Sequence, residues 1–175
     1  MGDELANDRR TRDGMADGGM RGDELIGDGL IGDGDQPGTS MDSTRGDAIV
    51  QDMIANDSFS RWMNLNVESV GQGAATLTCV IREEMSNGFG VLHGGVLFSL
   101  ADSALAFAAA STGRKALTTE SSITFLKPCY AGDKLTAVTE TIRAGNRVGH
   151  YLVHISNQDG HPVALFKGSV LFQTT

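Results

Sequence analysis

From Gly94 to Ser111 the chain carries 18 residues that are apolar on nearly every side of a helix. Leu97, Leu100, Ala101, Ala104, Leu105 and Ala108 recur at helical spacing, and most positions between them are apolar as well. A helix of this kind must be covered on most of its faces, and the remainder of the chain supplies strands to cover it. Alternation and turn residues mark strands at Met63–Val70, Gly73–Arg82, Leu117–Leu126, Lys134–Ile142, Arg147–Ile155 and Pro162–Phe172. The connections are mostly turns, at Gly71–Gly73, Ala131–Asp133, Ala144–Asn146 and Gln158–His161, which argues against parallel crossovers. A short amphipathic helix over Ala48–Ala55 precedes them. The expectation is an α+β domain, one antiparallel sheet of about six strands wrapped around one buried helix.

Charge divides the chain in two. The formal net charge is −8, and residues 1–47 carry −7 of it, with 12 acidic residues, 5 arginines and 11 of the 23 glycines. A segment so poor in apolar side chains is read as a disordered acidic tail, with the folded domain at 48–175. Asp33–Gly38 briefly resembles a calcium loop, but Pro37 stands at a ligand position and Thr44 at the twelfth, where a glutamate is needed. The remainder is nearly neutral and lacks the clustered Lys and Arg of a nucleic-acid surface. No basic and apolar leader opens the chain, and no apolar run is long enough to span a bilayer, so a cytoplasmic location is expected. Cys79 and Cys129 lie in apolar stretches and are expected to be free buried thiols.

Asp102 is the residue that stands apart. A carboxylate inside an apolar helix carries a desolvation cost unless it is bonded, paired or functional, and Ser99 and Ser103 give it a polar notch. Satisfaction by backbone donors or by an arginine explains such a residue equally well. His93, Gly94 and Gly95 open the same helix, where free N–H groups and the positive dipole end favour an oxygen with developing negative charge. An ordinary glycine-rich loop capped by His93 is the alternative. His150 and His154 share one strand face about 13 Å apart, too far for one metal ion. No metal site, nucleophile elbow or complete dinucleotide fingerprint is present in the sequence.

The run from Asn87 through His93, Gly94 and Gly95 to Asp102 resembles the signature of the phenylacetate-degradation (PaaI-type) thioesterases of the hotdog superfamily. The similarity continues through Ile123–Pro128, Ala131–Leu135, Asn146–Gly149 with Tyr151, and Val163–Gly168. It covers about residues 48–173 and leaves the tail unexplained. Where the family commonly has Arg-Ser-Gly, this chain has Arg147-Val148-Gly149.

The resemblance implies a hotdog fold and hydrolysis of an acyl-CoA, aryl-acetyl being the leading acyl class. It implies Asp102 as base or nucleophile, the Gly94 amide on the carbonyl oxygen, and Asn87 and His93 shaping the site. Gly95, Lys127 and Arg147 are the residues expected to bind substrate or coenzyme A. No cofactor beyond the substrate's own coenzyme A is expected, nor a nucleic-acid or membrane partner. The family pairs into dimers and then tetramers. The rival readings are a hotdog enoyl-thioester hydratase or dehydratase, which needs His93 and Asp102 to meet, and a non-catalytic acyl-CoA-sensing module.

Overall fold

The structure, a computed structural model, describes residues 40–173. It opens with helix α1 (Ser40–Asn56) and the short helix α2 (Ser58–Met63), followed by strands β1 (Asn66–Gly71) and β2 (Ala74–Val80). A single 3-10 turn, Glu83–Met85, leads through the glycine-rich loop into helix α3 (Gly94–Ala110). Four strands complete it: β3 (Ala116–Phe125), β4 (Lys134–Ala144), β5 (Val148–Ser156) and β6 (Pro162–Phe172). All pair antiparallel in one six-stranded sheet of order β1-β2-β4-β5-β6-β3. The α+β architecture expected from the sequence is the one observed.

The strand period of two decides which side chains meet α3. Ala75, Leu77 and Cys79 of β2, Leu135 and Ala137 of β4, Tyr151, Val153 and Ile155 of β5, and Phe166 and Val170 of β6 are all buried. From the helix come Leu100, Ala101, Ala104, Leu105, Phe107 and Ala108. Each fully buried leucine or phenylalanine contributes about 2 kcal/mol of apolar transfer. Gly168 stands in β6 because a Cβ there would collide with Leu105, so a larger residue would push helix and sheet apart.

Two expectations need correction at the N-terminal side. The first helix begins at Ser40, inside the segment read as tail, and Gly46 within it packs against the backbone at Ser111–Gly113 so closely that no Cβ fits. A segment rich in glycine and acid reads as tail on composition, and here the glycine is a packing residue. Most of the tail, with the loop at Asp33–Gly38, lies outside the described residues. The second correction is α2, where a strand was expected to start at Met63. Asp57 caps this helix by accepting from Phe59 N and Ser60 N, and Asn64 closes it in the left-handed region at φ 56°.

The sheet also covers less of α3 than its apolarity implies. Ser99, Asp102, Ser103 and Ala106, a stripe at i, i+3, i+4 and i+7, are only half-buried. The open stripe lies beside β3, an edge strand with one free side. The apolar Leu117 and Phe125 of that strand are 63% and 53% exposed.

Candidate active site

His93 is the N-cap of α3, and its ring does the capping: Nδ1 accepts from Gly95 N at 2.9 Å. The His93 backbone is tied down in turn, its N–H donating to Met85 O and its carbonyl accepting from Val96 N. Gly94 N–H, between these groups, has no hydrogen-bond partner among the described residues. It is thus a free donor at the positive end of a 17-residue helix, the arrangement that binds an oxygen gaining negative charge. A Cβ at Gly94 would stand 2.9 Å from Phe125 Cζ, so any larger residue there requires the Phe125 ring to turn.

Gly95 was expected to contact substrate. Its amide is instead committed to the His93 ring, so it serves the loop's geometry and not as a second open donor. Asn87 holds the preceding turn: Oδ1 accepts from Phe89 N at 2.8 Å and from Val91 N at 3.4 Å. Among the described residues its Nδ2 has no partner, which leaves Asn87 a free donor.

Asp102 sits two turns further along α3, on the half-buried stripe. Its Oδ1 accepts from Thr118 Oγ1 at 2.8 Å, and Oδ2 has no partner among the described residues. The burial argument that singled this residue out does not hold in the isolated chain, because the sheet stops short of it. Nor do the neighbouring serines hold it, since Ser99 Oγ donates back to Gly95 O. Thr118 is the partner that the sequence did not reveal. It belongs to a strand with several threonines and serines, and only the β3–β6 register, with its irregularity after Thr118, decides which of them meets α3.

The structure does not bring all expected residues together within one chain. Gly94 and Asp102 are eight residues apart on one helix, about 12 Å along its axis. Arg147 is farther still. Its turn lies at the C-terminal end of α3, where Arg114 NH1 donates to Gly145 O at 2.8 Å. Lys127 does approach Gly94. Both line a hollow of about 430 Å³, walled by Leu97, Phe125, Leu126 and Cys129. The Cys129 thiol is no nucleophile there: burial first, then the nearby Asp133 charge, push its pKa up, away from the reactive thiolate. A second hollow, at the β1–β2 hairpin, is lined by no titratable side chain. His150 and His154 point away from the site, contacting Ser169 and Glu140. No helix of the described residues is long and apolar enough to cross a membrane.

Residues 89–164 match the Thioesterase superfamily. Over 116 residues the chain is 40% identical to the acyl-coenzyme A thioesterase PaaI of Escherichia coli K12, covering 66% of this chain and 83% of that protein. The solved structure of E. coli PaaI, from the phenylacetic acid degradation operon, matches with a TM-score of 0.73 at 35% identity, over 76% of this chain and 96% of that one. A hypothetical thioesterase of Streptococcus pneumoniae, solved with coenzyme A, matches with a TM-score of 0.62 at 28% identity, over 64% and 90%. Alanine variants of the Streptococcus protein at an aspartate and at a threonine 16 residues further on have also been solved.

Proposed function

The chain belongs to the thioesterase superfamily, and from that premise we propose that it hydrolyses acyl-coenzyme A to the free acid and coenzyme A. It is a hydrolase of thioesters with the hotdog fold. The observation that carries the finer reading is the unpaired Gly94 amide at the start of the helix that bears Asp102. The thioester oxygen accepts from Gly94 N–H, so the charge that develops on attack falls at the positive helix end. Asp102 supplies the other half, as base on water or as the attacking oxygen. It acts through Oδ2, because Oδ1 holds the Thr118 hydroxyl. The carbon–sulfur bond then breaks and coenzyme A leaves as the thiol. The 16-residue spacing of the aspartate and threonine varied in the Streptococcus protein equals that of Asp102 and Thr118, which supports this pairing.

The acyl class proposed is aryl-acetyl, by likeness to the protein of the phenylacetic acid degradation operon. The site is proposed to be shared between two copies of the chain. Two α3 helices running antiparallel about a twofold axis bring Asp102 of one toward Gly94 of the other. The same axis carries Arg147, at the far end of one α3, toward its partner's Gly94, where it is proposed to meet coenzyme A phosphates. The half-buried stripe and the free edge of β3 supply the matching surface, and pairs of dimers form the proposed tetramer. Neither metal nor cofactor enters this chemistry, and the free thiols of Cys79 and Cys129 fit a cytoplasmic setting.

The hydratase reading needs a His–Asp pair, and within one chain these side chains do not meet: His93 Nδ1 caps Gly95 N–H and Asp102 Oδ1 holds the Thr118 hydroxyl. Release of free thiol from a panel of acyl-CoA substrates is the test. Binding without thiol release would leave a sensing module and end the hydrolase reading.

A further inference from the structure

The hollow beside Gly94 has apolar walls and one charged side chain, Lys127, in its lining. Lys127 Nζ lies 3.3 Å from His161 Nδ1. An ammonium has hydrogens to donate and no lone pair, so Nδ1 accepts and the neutral ring carries its proton on Nε2. Among the described residues no carboxylate forms an ion pair with Lys127. Asp133, whose charge it feels, is turned elsewhere, accepting from Tyr130 N and Gln158 Nε2. The ammonium is therefore a cation at the rim of an apolar hollow that, among the described residues, is held by His161 and by no carboxylate in contact with it.

A carbonyl bound at Gly94 places one of its two substituents in this hollow. We propose that this substituent is the acyl group, and that the chain prefers acyl groups ending in a carboxylate, which Lys127 receives with His161 behind it. This rests on the thioesterase reading above. Size separates the acyl end from the coenzyme. If round, the hollow is about 9 Å across, whereas an extended pantetheine arm sets the first phosphate about 15 Å from the sulfur. Walls of Leu97, Phe125 and Leu126 take methylenes or a ring, and the charged rim takes the terminal carboxylate. An aryl-acetyl frame remains compatible, provided that its ring carries the acid.

The test uses two coenzyme A ketone analogues in which a methylene replaces the thioester sulfur, one with an adipyl and one with a hexanoyl chain. Their lengths match and only one ends in a carboxylate. In calorimetric titrations of the full chain, the adipyl analogue should bind roughly fivefold tighter, the size expected of a partly exposed ion pair. In Lys127→Met the ratio should fall to about one; Lys127 is exposed, so its replacement leaves the core intact. Equal binding of the two analogues by the unaltered chain overturns the proposal. So does a Lys127→Met variant that binds both analogues more weakly by the same factor, which would put Lys127 at the coenzyme phosphates. Thiol release from adipyl-CoA is scored separately. Lys127-dependent binding without release would uphold the carboxylate pocket and sink the hydrolase reading.

Discussion

Asp102 presents one bonded and one open oxygen, and that asymmetry sets what its replacement should do. Asp102→Asn keeps the shape and an acceptor for Thr118 but removes the basic oxygen. Turnover should fall at least about a hundredfold, as expected for lost acid–base chemistry. Thermal stability should change little, because the residue is half-buried and not sealed in the core. Near-normal thiol release from this variant would end the assignment. Thr118→Ala is expected to lower kcat by about tenfold with little change in KM, since a positioning hydroxyl is lost and binding groups are untouched. Thr118→Ser should restore most of that loss, which a merely structural threonine would not require. Asp102 and Gly94 stood out in the sequence because a carboxylate and a glycine pair are conspicuous in an apolar helix. That pattern fitted a structural role as well, and the roles proposed for them came from the family resemblance. Thr118 did not stand out, because its role depends on which strand lies beside α3 and in what register.

The elements followed their patterns where those patterns were long. Helix α3 and strands β3 to β6 appear within two residues of the expected bounds, since each carries a full helical or alternating period. Short elements were lost. Helix α2 has six residues, too few for a periodic signal, and its boundaries come from Asp57 and Asn64, whose capping roles show only in the fold. Asp57→Ala should cost about 1 kcal/mol in chemical denaturation, the usual worth of an N-cap. The turn between β3 and β4 gives a pH signature. Asp133 is held below its ordinary carboxylate pKa, first by the Tyr130 N–H and then by Gln158. A lowered folded-state pKa means stabilisation that is present above the ordinary value near 4 and lost as pH falls through the folded one. Asp133→Ala should therefore destabilise the chain at neutral pH, and the gap between variant and parent should narrow as melts are taken to progressively lower pH, below the ordinary carboxylate value near 4. A gap independent of pH would assign the effect to packing.

Within one chain the free amide and the free carboxylate oxygen stand about 12 Å apart along the helix axis, and no side-chain rotation closes that gap. The reacting carbon must lie about 3 Å from the attacking oxygen while its own oxygen sits on the amide. Two copies resolve the geometry, and the half-buried stripe of α3, together with the free edge of β3, gives them a surface on which to pair. Two inactive variants mixed together test this. Asp102→Ala removes the carboxylate. Gly94→Pro removes the donor at a helix start, a position that proline tolerates. The nearest atoms that a new side chain at Gly94 meets are those on the outer rim of the Phe125 ring, which is 53% exposed and has solvent to turn into. After unfolding and refolding at equal concentrations, random pairing should make about half of the dimers mixed, each with one intact site of two. About a quarter of the parent activity should then return, although neither variant alone has any. If mixed dimers form and thiol release stays absent, the two groups act within one chain, and the 12 Å gap must close by a bend in α3 that this structure does not contain.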